Sequence, residues 1–172
     1  MANTYTLIST VTIGSGGATS FSFTSIPSTY TDLKIVYSVR TNRANNIEQV
    51  KFRINSDTGS NYTFKRVYSD GTTPQSDGGT NAYAYGGWAN AASSTSNTFA
   101  NNELYIPNYA SSNQKSYSCD VVTENNATAA FAVLNSGIWT GTSAITTLDF
   151  YGDQAQTFQQ YSTAYLYGIK NS

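Results

Sequence analysis

The sequence predicts an all-β protein, a two-sheet antiparallel β-sandwich, and three observations carry the prediction. Apolar residues recur at every second position in segment after segment, most plainly between Ser20 and Arg43, where Phe21, Phe23, Leu33, Ile35, Tyr37 and Val39 alternate with polar neighbours. That period of two belongs to strands, and a sheet with one apolar face needs a second layer to cover it. The composition agrees, since fourteen Tyr and eight Phe stand against one Met, a strand-forming balance set among turn-forming Ser, Thr, Asn and Gly. No segment carries the 3.6-residue period with end signals that a helix requires. Among arrangements of such strands a jelly roll is favoured. A chain of 172 residues can bury roughly 70% of its unfolded surface, so residues 1–172 are expected to form a single sandwich domain around one core.

Taken in order, Thr4 to Ile13 alternates Tyr5, Leu7, Ser9, Val11 and Ile13 against mostly threonines. The glycine-rich Gly14 to Gly17 then reads as a hairpin turn into Thr19 to Phe23. Ile26-Pro27 marks a corner at the rim of a sheet, because proline donates no ladder hydrogen bond and pushes the residue before it out of the helical region. Leu33 to Val39 follows, then a polar break from Thr41 to Asn46. Val50, Phe52 and Ile54 alternate with Gln49, Lys51 and Arg53. Beyond the turn residues Asn55 to Asn61, Tyr62, Phe64, Arg66 and Tyr68 alternate with Thr63, Lys65 and Val67, and these two strands are expected to pair as a hairpin. Ser69 to Gly79 lacks an apolar side chain to tuck under the core and is expected to be a surface loop. Asn81 to Trp88, Phe99 to Ile106, Ser116 to Thr123, Ala129 to Thr140, Ala144 to Tyr151 and Tyr161 to Ile169 supply the remaining strands, for a total of about nine or ten.

Most catalytic inventories are missing. With no His there is no imidazole base, no Ser-His-Asp triad and no His-based metal site, and a single Cys excludes thiolate zinc. Cys119, flanked by alternating residues, reads as a small core side chain with no neighbouring base to activate it. The ten Asp and Glu fall mostly in turns and at strand ends, where turn formation explains them better than a glycosidase pair. Asp57 to Asn61 lacks the spaced oxygen ligands of a calcium loop, and the Gly14 run precedes a strand, so it offers no helix N-terminus to a phosphate. The sequence is therefore read as a non-enzyme with no cofactor. Only 11% of residues are charged, the net charge is -1, and the nine Lys and Arg are scattered, which argues against nucleic acid as a partner. Met1 to Tyr5 shows neither a basic region nor an apolar run, so the expectation is synthesis in a cytoplasm without a membrane anchor. On that ground Asn61-Tyr62-Thr63 and Asn126-Ala127-Thr128 are chance glycosylation patterns.

What remains is adhesion. Tyr83, Tyr85 and Trp88, interleaved with Ala and Gly, are core side chains, anchors of a protein interface, or sugar-stacking rings, in that order. The polar loops Thr41 to Asn46, with Asn42 and Arg43, and Ser69 to Gly79, with Asp70 and Asp77, are the further candidates for contact. The segments F-S-F-T-S-I-P-S-T-Y-T-D-L-K-I at 21–35, I-N-S-D-T-G-S-N-Y at 54–62, N-E-L-Y-I-P-N-Y-A at 102–110, V-T-E-N-N-A-T-A-A at 122–130 and Q-Y-S-T-A-Y-L-Y-G-I-K at 160–170, taken together, resemble small structural proteins of tailed bacteriophages, notably those of cyanobacteria. The resemblance implies a sandwich domain on a virion, on the outer capsid surface or an appendage, and carries no catalytic residues with it. It favours a capsid decoration (cement) protein bound to the major capsid protein, forming a homo-oligomer such as a trimer at a capsid three-fold. The alternative is a receptor-reading knob of a head or tail fibre that holds a host surface glycan.

Overall fold

The computed structural model describes residues 4–124 and 130–170. Met1-Ala2-Asn3, the turn expected at Asn125-Asn126, the glycosylation pattern at Asn126 and the start of the strand expected from Ala129 lie outside the described residues. All regular structure among the described residues is extended. The strands are β1 (Tyr5–Thr12), β2 (Ser20–Phe23), β3 (Asp32–Val39), β4 (Ile47–Ile54), β5 (Tyr62–Ser69), β6 (Gln75–Asn81), β7 (Ala84–Asn90), β8 (Ala100–Ile106), β9 (Lys115–Val122), β10 (Ala132–Trp139), β11 (Leu148–Gly152) and β12 (Thr163–Ile169). They form two antiparallel sheets packed face to face. The larger has eight strands in the order β1-β12-β3-β8-β9-β10-β5-β6, and the smaller has four in the order β2-β11-β4-β7.

The strand alternation read from the sequence builds the interior. Leu33, Ile35, Tyr37 and Val39 of β3 face Val50, Phe52 and Ile54 of β4 across the gap, all buried. At the centre Phe150 lies between Phe21, stacked at 4.9 Å and 8°, and Phe52 at 5.4 Å and 23°, so one row of rings crosses three strands of the smaller sheet. Aromatic pairs in this geometry add about 0.5–1.5 kcal/mol beyond the area they bury. Cys119 is fully buried there too, its Sγ 3.0 Å from the Gly86 carbonyl, and burial pushes its thiol up to about 12.

Two expected hairpins are crossings between sheets. Gly14 to Gly17 closes a tight turn, with Gly17 N donating to Gly14 O at 3.0 Å, but β1 belongs to the larger sheet and β2 to the smaller. Asn55 to Asn61 likewise carries the chain from β4 in one sheet to β5 in the other. Asn55 and Ser56 both adopt positive φ, and the Tyr62 hydroxyl accepts from Ile54 N and donates to Asp57 O, which turns the chain through the corner and not back along the same sheet. The reason is shared: both flanking strands carry one apolar face, and placing them in opposite sheets buries both faces in the same core.

The expected loop from Ser69 to Gly79 is half strand. Residues 75–81 pair with β5 in an unbroken register from Tyr68↔Gln75 to Tyr62↔Asn81. Backbone pairing and the Arg66–Asp77 ion pair, at 2.6 Å, hold a segment that has no apolar side chain to bury.

Candidate functional site

The outer face of the eight-stranded sheet divides into two halves of different chemistry. On the half built by β6, β5, β10 and β9, the exposed large side chains are aliphatic: Val67 is 55% exposed, Leu134 54%, Val122 49% and Ile138 41%. Register brings them together, since Leu134 lies opposite Val67 on one side and Asp120 on the other, and Ala132 opposite Val122. Ser76 of β6 and Asp120 of β9 line the same hollow although two strands separate them, so the sheet curls here into a trough. The trough consists of three adjoining hollows of about 660, 690 and 490 Å³ that share Val67 and Leu134, then Lys65 and Ser136. Its margin is polar, with Lys65, Asp120 and the hydroxyls of Ser76, Ser118 and Ser136.

On the other half, built by β1, β12, β3 and β8, tyrosines replace the aliphatics. Tyr5 is 52% exposed and Tyr165 38%, with Leu7 beside them at 52%. Lys34 joins Glu103 at 2.6 Å and places its ammonium 5.7 Å from the centre of the Tyr5 ring. Tyr105 donates to the buried Asp32 carboxylate at 2.6 Å, and this bond, with Asp32's charge and partial burial behind it, pushes the phenol up to about 12. Tyr161, 70% exposed, stands at the end of the sandwich with a φ of 72°, a left-handed conformation unusual for a bulky side chain.

Of the candidate residues read from the sequence, Asp77 lines the second hollow of the trough, and the others lie elsewhere. Trp88 is buried, edge-on to Tyr68 at 5.4 Å and to Phe131 at 4.9 Å. Tyr85 is half-buried against Phe64 at 4.5 Å, and Tyr83 is half-buried beneath the Lys51 ammonium, 3.7 Å from its ring centre. Lys51 in turn pairs with Asp153, so the Tyr83 ring face is already covered by a cation of the same chain. Asn42 is exposed but occupied: its Oδ1 accepts from Thr157 N at 2.9 Å and its own N–H donates to Thr157 O at 3.1 Å, fastening two loops together. Arg43 is half-buried, and its carbonyl accepts from Asn45 and Ala92. Asp70 turns its own loop by accepting from the Thr72 N–H and hydroxyl, which holds its carboxyl below the usual range. Asp77 is committed to Arg66. The structure thus places Tyr85 and Trp88 on the edge strand of the smaller sheet, Asp77 on the edge strand of the larger one, and Asn42, Arg43, Asp70 and Tyr83 in the connections, and not in one patch.

The surface residues that sequence reading missed, Val67, Val122, Leu134 and Ile138, occupy positions whose partners along the strand are partly polar. Arg66 and Asn135 point inward where apolar residues are the rule, and Val67 and Leu134 point outward. Among the described residues no group of three or more acidic, Cys or His side chains converges as a metal site.

No family model matches the chain, and no curated protein matches it. Among solved structures it is similar to the CBM40 of the Ruminococcus gnavus IT-sialidase bound to α2,6-sialyllactose, at 14% identity over 98% of this chain and 93% of that one, with a TM-score of 0.32. It is also similar to a leech intramolecular trans-sialidase complexed with 2,7-anhydro-Neu5Ac, at 13% identity over 86% of this chain and 25% of that one, with a TM-score of 0.25.

Proposed function

We propose that this chain is a virion structural protein that acts by adhesion, as a capsid decoration protein seated on the major capsid protein through the aliphatic trough of its eight-stranded sheet. The observation that carries the reading is the clustering of Val67, Val122, Leu134 and Ile138, each about half exposed, in one hollowed and polar-rimmed face. Contiguous apolar surface of this kind marks an interaction site, and a lining of aliphatics and hydroxyls suits another protein surface. A polysaccharide asks for exposed rings to stack on, whereas the rings that line the trough are half-buried, as Tyr68 is, or buried, as Phe64 and Tyr117 are.

Covering the exposed remainder of each aliphatic is worth roughly 1 kcal/mol, so the four together contribute roughly 4 kcal/mol to each docked copy before rim contacts are added. That is modest for a single copy but is repeated over a shell. Each docked copy that bridges two shell subunits adds contacts that internal pressure must break before the shell opens.

The test is to strip particles of this protein, add it back, and measure the temperature at which the shell releases its genome. Wild-type protein is expected to rebind and restore the rupture temperature, and Leu134→Asp, with a thermal melt showing that it is folded despite facing Asp120, to do neither. Equal rebinding by Leu134→Asp, or an unchanged rupture temperature after stripping, sinks the reading.

A second reading, a glycan-binding knob on an appendage, is favoured by the exposed Tyr5 and Tyr165 rings beside the Lys34–Glu103 pair. A glycan array separates the two: retention that Tyr165→Ala abolishes and Leu134→Asp does not supports the knob.

A further inference from the structure

Two sheets have four edges, and three of them are closed to further pairing. β2 is only four residues long. β1 breaks register between Leu7 and Ser9. The free side of β7 is sealed by side chains of the larger sheet: Asn135 Nδ2 donates to Tyr85 O at 2.8 Å, Cys119 Sγ to Gly86 O at 3.0 Å, and Trp88 N to Asn102 Oδ1 at 3.1 Å. Short strands, bulges and capped edges are the means by which proteins prevent their sheets from adding strands. β6 has none of them. It runs seven residues in unbroken register, Pro74 lies just outside it, and its one charged side chain, Asp77, is turned to Arg66.

We infer that β6 is the contact through which two copies of this chain associate, antiparallel, joining their eight-stranded sheets across a two-fold axis at Gly78. A strand that pairs with itself in this way makes an isologous interface, so the expected assembly is a dimer and not the three-fold association implied by the resemblance. With the axis at Gly78, residue 76 lies opposite residue 80 of the second copy, 77 opposite 79, and 75 opposite 81. Asp77 then faces Gly79, the other facing pairs join neutral side chains, and the two Asp77 carboxylates are kept from facing each other. Gly78 and Gly79 let the two backbones meet without side chains between them. Arg66 is neutralised by Asp77 on the inner face, and on the outer face among the described residues Lys65 is the cation at this edge: its stem crosses above Gly78, with Nζ 2.9 Å from where a Cβ would stand. The axis brings two such ammonium groups near each other, so added salt is expected to tighten the dimer by screening them. The joint also places the two aliphatic troughs on one continuous face. It does not depend on what those troughs bind.

Sedimentation velocity on the full chain, from low micromolar to the highest soluble concentration, reads the association directly. Wild-type protein is expected to shift from monomer to dimer, and more readily at higher salt. Ser76→Lys with Thr80→Lys places like charges opposite each other and is expected to weaken the dimer about tenfold or more. Ser76→Lys with Thr80→Glu places opposite charges there and is expected to restore it. Positions 76 and 80 are four residues apart on one extended strand, too far to pair within a copy, so the restoration reports on the partner. All of these positions are exposed, and an unchanged thermal melt of the monomer confirms that each variant is folded. A monomer at every concentration, a trimer, or a dimer indifferent to both variant pairs overturns the inference.

Discussion

Removing Asp77 while keeping Arg66 tests how the sandwich holds its outermost strand. The Arg66 side chain is 8% exposed and that of Asp77 40%. Nε and one terminal nitrogen of the guanidinium donate to the two carboxylate oxygens at 2.6 Å each, while Nη1 is buried without a partner. Four rings surround the group, from Tyr85 at 4.7 Å to Trp88 at 5.9 Å. Deleting one member of a fully buried ion pair costs about 3–5 kcal/mol, because the remaining charge stays out of water. Asp77 is more than a third exposed, so solvent replaces part of what it supplies, and the expected cost of Asp77→Ala falls to about 1.5–2.5 kcal/mol. Arg66→Met removes the charge and the orphaned nitrogen together and leaves a flexible apolar chain among the rings, at an expected cost below about 1 kcal/mol. At about 2–4 °C per kcal/mol for a domain of this size, Asp77→Ala melts about 3–10 °C below wild type and Arg66→Met within about 4 °C. Urea unfolding followed by tryptophan fluorescence, with thermal melts by circular dichroism, measures both. The double variant is expected to be no worse than Arg66→Met alone. If Arg66→Met proves the more damaging of the two, or the double variant sums the single costs, the pair stabilises the fold in its own right and the reasoning fails.

Other expectations follow from the core and the corners. Phe150→Ala opens the ring stack at its centre and is expected to cost about 3–5 kcal/mol, against less than about 1.5 kcal/mol for the better-filling Phe150→Leu, as read from denaturant midpoints. Cys119 should not react with a thiol-specific chromogen in the folded protein and should release its colour at the rate of unfolding, because burial pushes its thiol up to about 12; immediate labelling would contradict its position. Burial works against the charge on Asp57, but donation from Trp139, Asn61 and the Gly59 N–H outweighs it and holds the carboxyl below its ordinary value of 3.8. A lowered carboxyl contributes stability that is complete above the ordinary value and lost as pH falls below it, so Asp57→Asn should flatten the acid limb of the stability profile and leave the slope near neutral pH unchanged.

The strand positions and the apolar faces of β3, β4, β8 and β9 were legible because in each the alternation agrees with burial. Pairing was not. Gly14 to Gly17 and Asn55 to Asn61 have the composition of hairpin turns, and nothing in a turn's own residues says whether the next strand rejoins the same sheet or crosses to the other. That choice is made by long-range packing, here by Phe21, Phe52 and Phe150, which come from three separated segments. The strand β6 was illegible for a different reason. Strand signals in a sequence are signals of half-burial, and Gln75-Ser76-Asp77-Gly78-Gly79-Thr80 is exposed throughout, so it carries the composition of a loop while the backbone pairs.

The same logic explains why the aromatic candidates did not mark the surface. Large rings alternating with small residues at Tyr83, Tyr85 and Trp88 fit a core first and a receiving face second, and a Gly or Ala beside a ring is what lets a second sheet approach closely. Gly86 sits where a Cβ would meet the Tyr37 hydroxyl at 3.2 Å and Phe52 at 3.1 Å, so the small residues of this segment serve the interior. The aliphatic trough inverts the ordinary arrangement. In β5 and β10 the inward positions include Arg66 and Asn135, each matched to a partner, Asp77 and the Tyr85 carbonyl, while Val67 and Leu134 face out. Exchanging these sides by a one-residue slip would bury the two aliphatics but strand a guanidinium and an amide without those partners, so the register is fixed from the inside. Val67 and Leu134 face each other across β5 and β10 and so support the sheet with the half of each side chain that is covered, while the other half stays exposed and is the surface that the proposed docking would use.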